Sequence, residues 1–305
     1  MTLRAVVLGA AAGGGLPQWN CNGPNSARFW RGDGSLAPAT QSSLAVSLDG
    51  SDWALINASP DLRAQIMARP VLHPRDPARF GLRDSPIRAV VLTNGDVDHV
   101  AGLLTLRERQ AFTLWSTEEV ATILAANPIF NVLDPALVTR RVVLPEAPFE
   151  LLPGLVATLF AVPGKVPLYL EGETVETARL GGETVGVELS DGRARLFYIP
   201  GCARMTPALA GRLRDAALVL FDGTLFTDDE MIRQGVGTKT GGRMGHMAMS
   251  GPEGSIAAFA GLGVARKIFV HINNTNPVWR PESPERAEAE AAGWEIAFDG
   301  MELTP

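Results

Sequence analysis

The sequence predicts an α/β sandwich, and two observations support this prediction. Short apolar runs rich in Val, Ile, Leu and Phe alternate with helical patterns in both halves of the chain. Several of these runs are apolar throughout, as in strands that are buried on both faces of a sheet. The chain has 305 residues, of which 46% are hydrophobic and 20% charged, and this balance argues against disorder, collagen and a coiled coil.

The individual strands and helices follow from local patterns of apolar residues. Apolar runs predict eight strands, at 3–9, 43–48, 53–58, 87–93, 112–116, 195–199, 216–221 and 267–272. The second and third strands are joined around Asp49-Gly50, which favours a hairpin rather than a crossover. Helical patterns occupy five further segments, at 61–69, 100–110, 118–127, 207–215 and 252–263.

The organisation and charge of the chain limit its partners. Neither a repeat nor a linker divides the sequence, so we expect a single domain over residues 1–305 with an irregular loop insertion around 20–40. The 27 basic and 33 acidic residues give a net charge of -6, which argues against nucleic acid because phosphate binding needs a basic face. No apolar run approaches the roughly 20 residues that span a bilayer, so no membrane partner is expected.

The cysteine content and the N-terminal segment indicate where the protein works. Cys21 and Cys202 are too few for a disulfide framework and suggest a reducing compartment. The apolar run after Arg4 weakly resembles a signal peptide, but the glycines at 13–15 favour a buried strand followed by a turn. We therefore expect a cytoplasmic location.

Polar residues follow four of the predicted strands. In open α/β sheets the ligand crevice lies outside the carboxyl ends of the strands, so residues that are distant in sequence can converge there. The polar segments are Asn94-Gly95-Asp96-Val97-Asp98-His99, Pro200-Gly201-Cys202, Asp222-Gly223-Thr224 and, after His271, Asn273-Asn274-Thr275-Asn276.

The first of these segments has the residue types of a metal site. Asp96, Asp98 and His99 offer carboxylate and imidazole ligands to a divalent cation. Two other interpretations stay open: Asp98 caps the helix that follows, or the cluster is a structural network. His271, at the end of a strand, is either a core residue or a ligand, and His246 follows the glycine-rich loop 235–245.

Other enzyme classes lack their characteristic residues. The glycine-rich stretch 9–15 contains no G-x-G-x-x-G, and Pro17 interrupts the helix that a dinucleotide fold would need. Gly164-Lys165 lacks the earlier glycine of a phosphate-binding loop. A serine hydrolase is disfavoured because the sequence has no G-x-S-x-G.

The segment from Asn94 to His99 resembles the signature of the metallo-β-lactamase fold superfamily, H-x-H-x-D-H followed by a glycine. Asp98 and His99 keep its second half, whereas Asn94 and Asp96 replace the two leading histidines. The resemblance places Asp222, His246 and His271 at the later ligand positions and leaves the middle histidine without a counterpart. It implies an αββα sandwich, in which two mixed sheets are packed between helices.

Almost the full chain resembles the coenzyme PQQ (pyrroloquinoline quinone) synthesis protein B family. The segments that resemble it are 7–22, 57–66, 92–108, 162–171, 198–203, 221–231, 235–247 and 269–277. One departure concerns C-x-C-x-x-C, a structural zinc motif of the family, which reads Cys21, Gly23 and Ser26 here. A structural zinc normally takes four ligands, so we predict that this zinc is absent and that loop 20–35 is held by packing or is mobile.

The resemblance also implies a reaction, oxygen insertion into the tyrosine ring of a cross-linked Glu–Tyr precursor of PQQ with Fe(II) and O₂. Two imidazoles and one carboxylate suit such an iron. The predicted ligands are Asp98, His99 and His271, with Asp96 as a further ligand or as a residue that orients His99. The predicted catalytic residues are Asp222 and His246, which bind metal or position the substrate phenol and relay protons. Arg179, Lys239 and Arg243 are candidate partners for substrate carboxylates or ordinary surface charges.

The expected partner is a small-molecule or dipeptide-like PQQ precursor. Other PQQ-pathway proteins and a second copy of the chain, in a homodimer, are further candidate partners. Two alternatives to the iron hydroxylase remain at this point. One is a zinc-dependent hydrolase, for which two metals or a zinc-bound water generate the nucleophile. The other is a non-enzymatic carrier that assists PQQ transport to the periplasm.

Overall fold

Two seven-stranded sheets dominate the computed structural model, which describes residues 2–172 and 175–305. The strands in chain order are β1 (Arg4–Gly9), β2 (Ser43–Ser47), β3 (Trp53–Ile56), β4 (Ile87–Val91), β5 (Phe112–Ser116), β6 (Val138–Val142), β7 (Pro148–Leu152), β8 (Leu155–Ala161), β9 (Val185–Ser190), β10 (Arg195–Ile199), β11 (Leu218–Asp222), β12 (Arg266–Val270), β13 (Trp294–Ile296) and β14 (Glu302–Leu303). All eight strands that the sequence predicts are confirmed, each within two residues at either end.

The two sheets repeat one topology. The first has the strand order β14-β1-β2-β3-β4-β5-β6 and the second β13-β12-β11-β10-β9-β8-β7. In the first sheet β3 to β6 run parallel and the remaining pairs are antiparallel. In the second sheet β10 to β13 run parallel and the remaining pairs are antiparallel. The β2–β3 hairpin is confirmed, and Gly50 takes the positive φ of 73° that its turn requires.

Short helices connect the strands in the described part of the chain. They are α1 (Pro24–Trp30), α2 (Leu62–Met67), α3 (Pro77–Phe80), α4 (Val97–Val100), α5 (Glu118–Ala126), α6 (Pro207–Leu213), α7 (Glu230–Arg233), α8 (Gly241–Met244), α9 (Ser255–Phe259) and α10 (Pro284–Ala291). In the described part of the chain, every helix is too short or too polar to cross a bilayer.

The hydrophobic core explains the layered architecture. One cluster includes the layer between the sheets, where Val7 and Val46 of the first sheet and Tyr198 and Leu220 of the second sheet lie. A second cluster lies outside the first sheet, where Val6 and its neighbours pack against the flanking helices. Adjacent residues of β1 therefore enter different core layers, because successive side chains of a strand point to opposite faces. The predicted αββα sandwich with two mixed sheets is confirmed.

The helix predicted over 100–110 is wrong in type and boundary. The chain forms the single turn α4 and then a 3₁₀ segment, Ala101–Arg107. The reason is a close backbone contact, in which the Gly102 N–H donates to the Ala58 carbonyl at 2.8 Å. Asp98 lies inside α4, and Asp96 occupies the cap position without a capping bond. The interpretation of Asp98 as a helix cap is therefore wrong.

The segment expected to be irregular, around 20–40, contains α1. Asn25 of this helix is buried, and its amide donates to the carbonyls of Asn274 and Asn276 at 2.8 Å each. These bonds attach α1 to the loop that follows His271, so the segment packs beside the strand ends.

Candidate metal centre

The carboxyl ends of β4, β11 and β12 bring the predicted site residues together. Asp98 and His99 lie in α4 after β4, Asp222 ends β11, and His271 follows β12. The distance from His271 Nε2 to Asp98 Oδ2 is 3.1 Å, and from His99 Nε2 to the same oxygen 3.8 Å. His246 follows α8, and its ring stacks on that of His271 with centroids 5.2 Å apart.

The backbone around Gly102 fixes the position of His99. The Ala58 N–H donates to the His99 carbonyl at 2.8 Å, which ties α4 to the end of β3. A Cβ atom on residue 102 would overlap the carbonyl oxygens of Ala58 and Ser59. Only glycine allows this close approach, so Gly102 determines how deeply His99 lies in the site.

His99 presents a bare nitrogen to the site. Its Nδ1–H donates to Asn94 Oδ1 at 2.7 Å, which assigns the proton to that side of the ring. Its Nε2 is buried and has no hydrogen-bond partner among the described residues. Burial lowers the pKa of His99 to about 4, so the ring is neutral near pH 7 and its Nε2 lone pair is available to a metal.

His271 directs its Nε2 at Asp98, whose Oδ2 lies 3.1 Å away. Its Nδ1–H donates to Thr224 Oγ1 at 2.9 Å, and its φ of 55° is rare for a residue other than glycine. Burial alone lowers the pKa of His271, but the adjacent Asp98 raises it above its usual value overall. Burial likewise works to raise the pKa of Asp98, and His99 and His271 lower it below its usual range.

These three residues fit a divalent cation. The ligand atoms of Asp98, His99 and His271 all lie within 4.8 Å of one another. Lone pairs on an imidazole nitrogen and a carboxylate oxygen repel each other unless a proton or a cation lies between them. No hydrogen-bond donor of the described residues faces the His99 nitrogen, and a buried polar atom without a partner is costly. Two nitrogens and one oxygen are a donor set typical of Fe(II) or Zn²⁺.

A second group contains Asp222, His246 and His271, whose ligand atoms also lie within 4.8 Å of one another. Both oxygens of the buried Asp222 already accept hydrogen bonds. Its Oδ1 accepts from Thr224 N at 3.0 Å and from Thr224 Oγ1 at 2.6 Å. Its Oδ2 accepts from Cys202 N at 2.9 Å and from His246 Nδ1 at 2.7 Å. Asp222 is therefore arranged to orient His246 rather than to present a bare oxygen.

Asp96 lies beside Asp98 but belongs to neither of the two groups of potential metal ligands. Its Oδ1 accepts from Leu168 N at 3.3 Å. Burial, and then the charge of Asp98, raise the pKa of Asp96 above its usual value. Asn94 orients His99 by accepting the hydrogen bond from His99 Nδ1. The sequence predicts this orienting role for Asp96, as the alternative to direct metal ligation.

A cavity of about 450 Å³ opens over these residues. Its wall includes Asp96, Asp98, His99, His246 and His271. The remaining lining residues are Ala12, Gly13, Gln18, Asn94, Lys165, Leu168, Gly201, Thr224, Met231, Lys239, Met244 and Asn273. The volume is suited to a small molecule.

Sequence reasoning missed Thr224 and Lys165 as site residues. Thr224 contacts Asp222, His246 and His271. Its place in a polar turn after a strand was visible, but its three partners depend on the tertiary fold. Arg179, considered a partner for substrate carboxylates, pairs with Glu183 at 3.0 Å and does not line the cavity.

The positions of the family's structural zinc motif lie apart from the cavity wall. Cys21 Sγ accepts from Gly23 N at 3.2 Å, and Ser26 Oγ accepts from Gln18 N at 3.3 Å. Cys21 is a free cysteine. Both contacts join residues of the segment that a zinc ion bound to the motif would otherwise hold together.

The fold and the site define a class of protein. A family model described as a beta-lactamase superfamily domain matches residues 52–272. A solved diphosphatase of the PhnP family shares the fold, with a TM-score of 0.69 at 19% identity over 100% of this chain and 98% of its own. The chain is a member of the beta-lactamase superfamily.

Two full-length relatives specify the family. Coenzyme PQQ synthesis protein B of Rhizobium meliloti is 58% identical over 301 residues, covering 99% of this chain and 97% of its own length. Its namesake in Ruegeria pomeroyi is 56% identical over 301 residues and 99% of each chain. The chain belongs to the coenzyme PQQ synthesis protein B family, as its sequence motifs predict.

A solved relative carries zinc. The crystal structure of Zn(2+)-bound PqqB from Methylobacterium extorquens has a TM-score of 0.96 at 54% identity, over 98% of this chain and 99% of its own. Because that relative binds zinc, the comparison gives no support to the predicted absence of a structural zinc. That absence stays a prediction, which zinc bound at Cys21 would contradict.

Proposed function

We propose that this chain acts in PQQ synthesis as a non-haem iron hydroxylase of the tyrosine ring in the cross-linked Glu–Tyr precursor. The observation that carries the proposal is the meeting of Asp98, His99 and His271, with a buried and unpartnered His99 Nε2 among the described residues. The family to which the chain belongs supplies the pathway. Its superfamily is consistent with a metal-dependent enzyme.

Asp98, His99 and His271 would hold the metal. Two imidazoles and one carboxylate with further open positions are the arrangement of non-haem Fe(II) oxygenases. When bound, ferrous iron would supply the one-electron chemistry with O₂ that oxidation of an aromatic ring requires. Asn94 and Thr224 hold the two imidazoles in the orientation and tautomer that this role needs.

His246 is proposed as the proton acceptor for the substrate phenol. Its Nδ1–H is held by Asp222 at 2.7 Å, and the ring lines the cavity. A carboxylate behind a histidine fixes the tautomer and stabilises the imidazolium that forms when the ring accepts a proton. Loss of the phenol proton makes the ring richer in electrons and easier to oxidise. Asp222 therefore acts as a positioning residue through His246.

The overall reaction consumes one O₂, two electrons and two protons for each hydroxyl group added. One oxygen atom enters the ring and the other leaves as water, so a reductant must be supplied. The test is anaerobic loading of the full chain with Fe(II), addition of the Glu–Tyr precursor and ascorbate, and exposure to ¹⁸O₂. We expect a mass increase from ring-bound ¹⁸O, lost in His99→Ala. Unlabelled product, or no ring oxidation by the loaded wild-type chain, would refute the hydroxylase.

A zinc-dependent hydrolase is the second candidate, and one observation favours it. His271 belongs to both groups of metal-type residues, as expected if two cations lay side by side. The hydrogen bonds already made to both Asp222 oxygens argue against a second cation. The hydrolase requires two zinc ions per chain and cleavage of an ester, amide or phosphodiester without O₂. One iron per chain with O₂ consumption supports the hydroxylase instead.

A further inference from the structure

Lysine is rare in this chain and concentrated at one cavity. Of its 27 basic residues only three are lysines, namely Lys165, Lys239 and Lys267. Lys165 and Lys239 both line the cavity above the candidate metal centre. Lys267 lies near the start of β12, whereas the centre lies beyond the end of that strand. The two cavity lysines are named the lysine wall below.

A buried carboxylate holds the lysine wall in place. Glu171 pairs with Lys165 at 2.9 Å, with Lys239 at 3.5 Å and with Arg243 at 3.0 Å. Burial acts to raise the pKa of Glu171, but hydrogen bonds from Lys165 and Arg243 lower it to about 2. The carboxylate is thus ionised at neutral pH, and among the described residues it faces three cations.

The lysine wall has an excess of positive charge that one carboxylate does not balance. Asp96 and Asp98 also line the cavity, but they lie at the candidate metal centre, where a divalent cation would offset their charge. Lysine ammonium groups carry three donors each and bind anionic oxygens as compact point charges. The unbalanced charge is therefore available to an anionic ligand.

Part of the cavity lining is apolar. Leu168, Met231 and Met244 contribute it, and methionine packs well against aromatic rings. The cavity thus combines apolar surface for a planar ring, cations for acidic groups and metal-type residues at its base.

We propose that the lysine wall binds the carboxylates of an aromatic substrate that bears at least two of them and directs its ring towards Asp98, His99 and His271. This inference rests on the proposed function for the identity of the natural substrate, a Glu–Tyr-derived polycarboxylate. Arg243 contributes indirectly, because it contacts Glu171 and does not line the cavity.

The test measures binding without turnover. The probe is PQQ, an aromatic tricarboxylate, and its trimethyl ester is the uncharged control. Both are titrated calorimetrically into the zinc-loaded full chain. Lys165→Met and Lys239→Met each remove one cation but keep the aliphatic stem. Lys267→Met is the matched control, since it makes the same charge change outside the cavity.

We expect each wall variant to bind PQQ about tenfold or more weakly, because each loses a charge-assisted hydrogen bond. Lys267→Met should bind like the wild type, and the ester should bind weakly and equally to all four chains. Rising salt should weaken the wild type more than Lys239→Met. Wall variants that bind PQQ as well as Lys267→Met, or an ester that binds as tightly as the acid, would overturn the proposal.

Two further measurements distinguish failure of this inference from misfolding of a variant and from failure of the proposed function. Melting temperatures identify misfolding, and Lys239→Met is the safer variant because its ion pair with Glu171 is the longer, at 3.5 Å. PQQ binding that depends on the lysines, in a chain that inserts no labelled oxygen, would refute the hydroxylase and leave the lysine wall intact. Oxygen insertion with a KM that is unchanged in both wall variants would support the hydroxylase and refute the lysine wall as the binding surface for the substrate.

Discussion

His271 Nε2 lies 3.1 Å from Asp98 Oδ2, although 173 positions separate the two residues in the chain. Asp98 lies after β4 in the first sheet and His271 after β12 in the second. Their contact therefore depends on the packing of one sheet against the other. Any change that shifts the sheets relative to each other should weaken metal binding before it unfolds the protein.

Asn94→Ala should weaken metal binding without removing a ligand. The Asn94 amide oxygen accepts the Nδ1–H of His99 at 2.7 Å and so keeps Nε2 bare. Loss of such an orienting partner typically costs about 10- to 100-fold in metal affinity. Competition with a chromophoric chelator measures the dissociation constant for Fe(II) or Zn²⁺. The control is Asn131→Ala, at an exposed position in a distant 3₁₀ segment. Equal affinities in the two variants would show that Asn94 does not orient the ligand.

Gly102→Ala should destabilise the fold and displace His99. A methyl group there would overlap the carbonyl oxygens of Ala58 and Ser59, and forcing extra atoms into a packed site costs about 1–3 kcal/mol. Gly211→Ala is the matched control, because no heavy atom lies within 4 Å of its added Cβ. Inside α6 that change should stabilise by up to about 1 kcal/mol. Urea unfolding measures both, and a Gly102→Ala chain as stable as Gly211→Ala would contradict the prediction.

Glu230 should make the stability of the protein fall as the pH rises. Burial raises its pKa from 4.5 to about 7, and its carboxylate accepts from Thr275 Oγ1 and Phe226 N. Below pH 4.5 the carboxyl group is neutral in both states. Between pH 4.5 and 7 the unfolded chain releases its proton first, so the free energy of unfolding falls, by up to about 3 kcal/mol in all.

Glu230→Gln tests this dependence. Glutamine keeps the size and hydrogen-bonding capacity of the protonated side chain but does not titrate. Urea unfolding at pH 5 and at pH 8 should show a smaller loss of stability in the variant than in the wild type. The same loss in both proteins would mean that the carboxyl group of Glu230 is not protonated in the folded state at pH 5.

The sequence predicts the buried strands of the fold better than the edge strands. Strands such as β3 and β11 are buried along their whole length, and their apolar runs stand out. The edge strand β6 exposes four of its five residues, so its sequence carries little hydrophobic signal. Strand β14 has only two residues and is defined by its pairing with β1. Such strands are specified by neighbours, which local patterns do not reveal.

The same limit applies to the site. That polar residues gather at the carboxyl ends of strands follows from general topology, and it correctly brought Asp98 and His271 together. The role of Thr224 does not follow, because its hydroxyl meets three side chains from separate segments. Lys165 was also missed, since its role depends on Glu171, which three cations share.

Metal content per chain tests the central claim most directly. The full chain is loaded anaerobically with Fe(II), freed of excess metal and analysed by mass spectrometry with inductively coupled plasma, beside His99→Ala and His246→Ala. We predict one iron per wild-type chain, loss of that iron in His99→Ala, and retention in His246→Ala because His246 contacts Asp222 instead. Two irons per chain, or full iron content in His99→Ala, would contradict a single cation held by Asp98, His99 and His271.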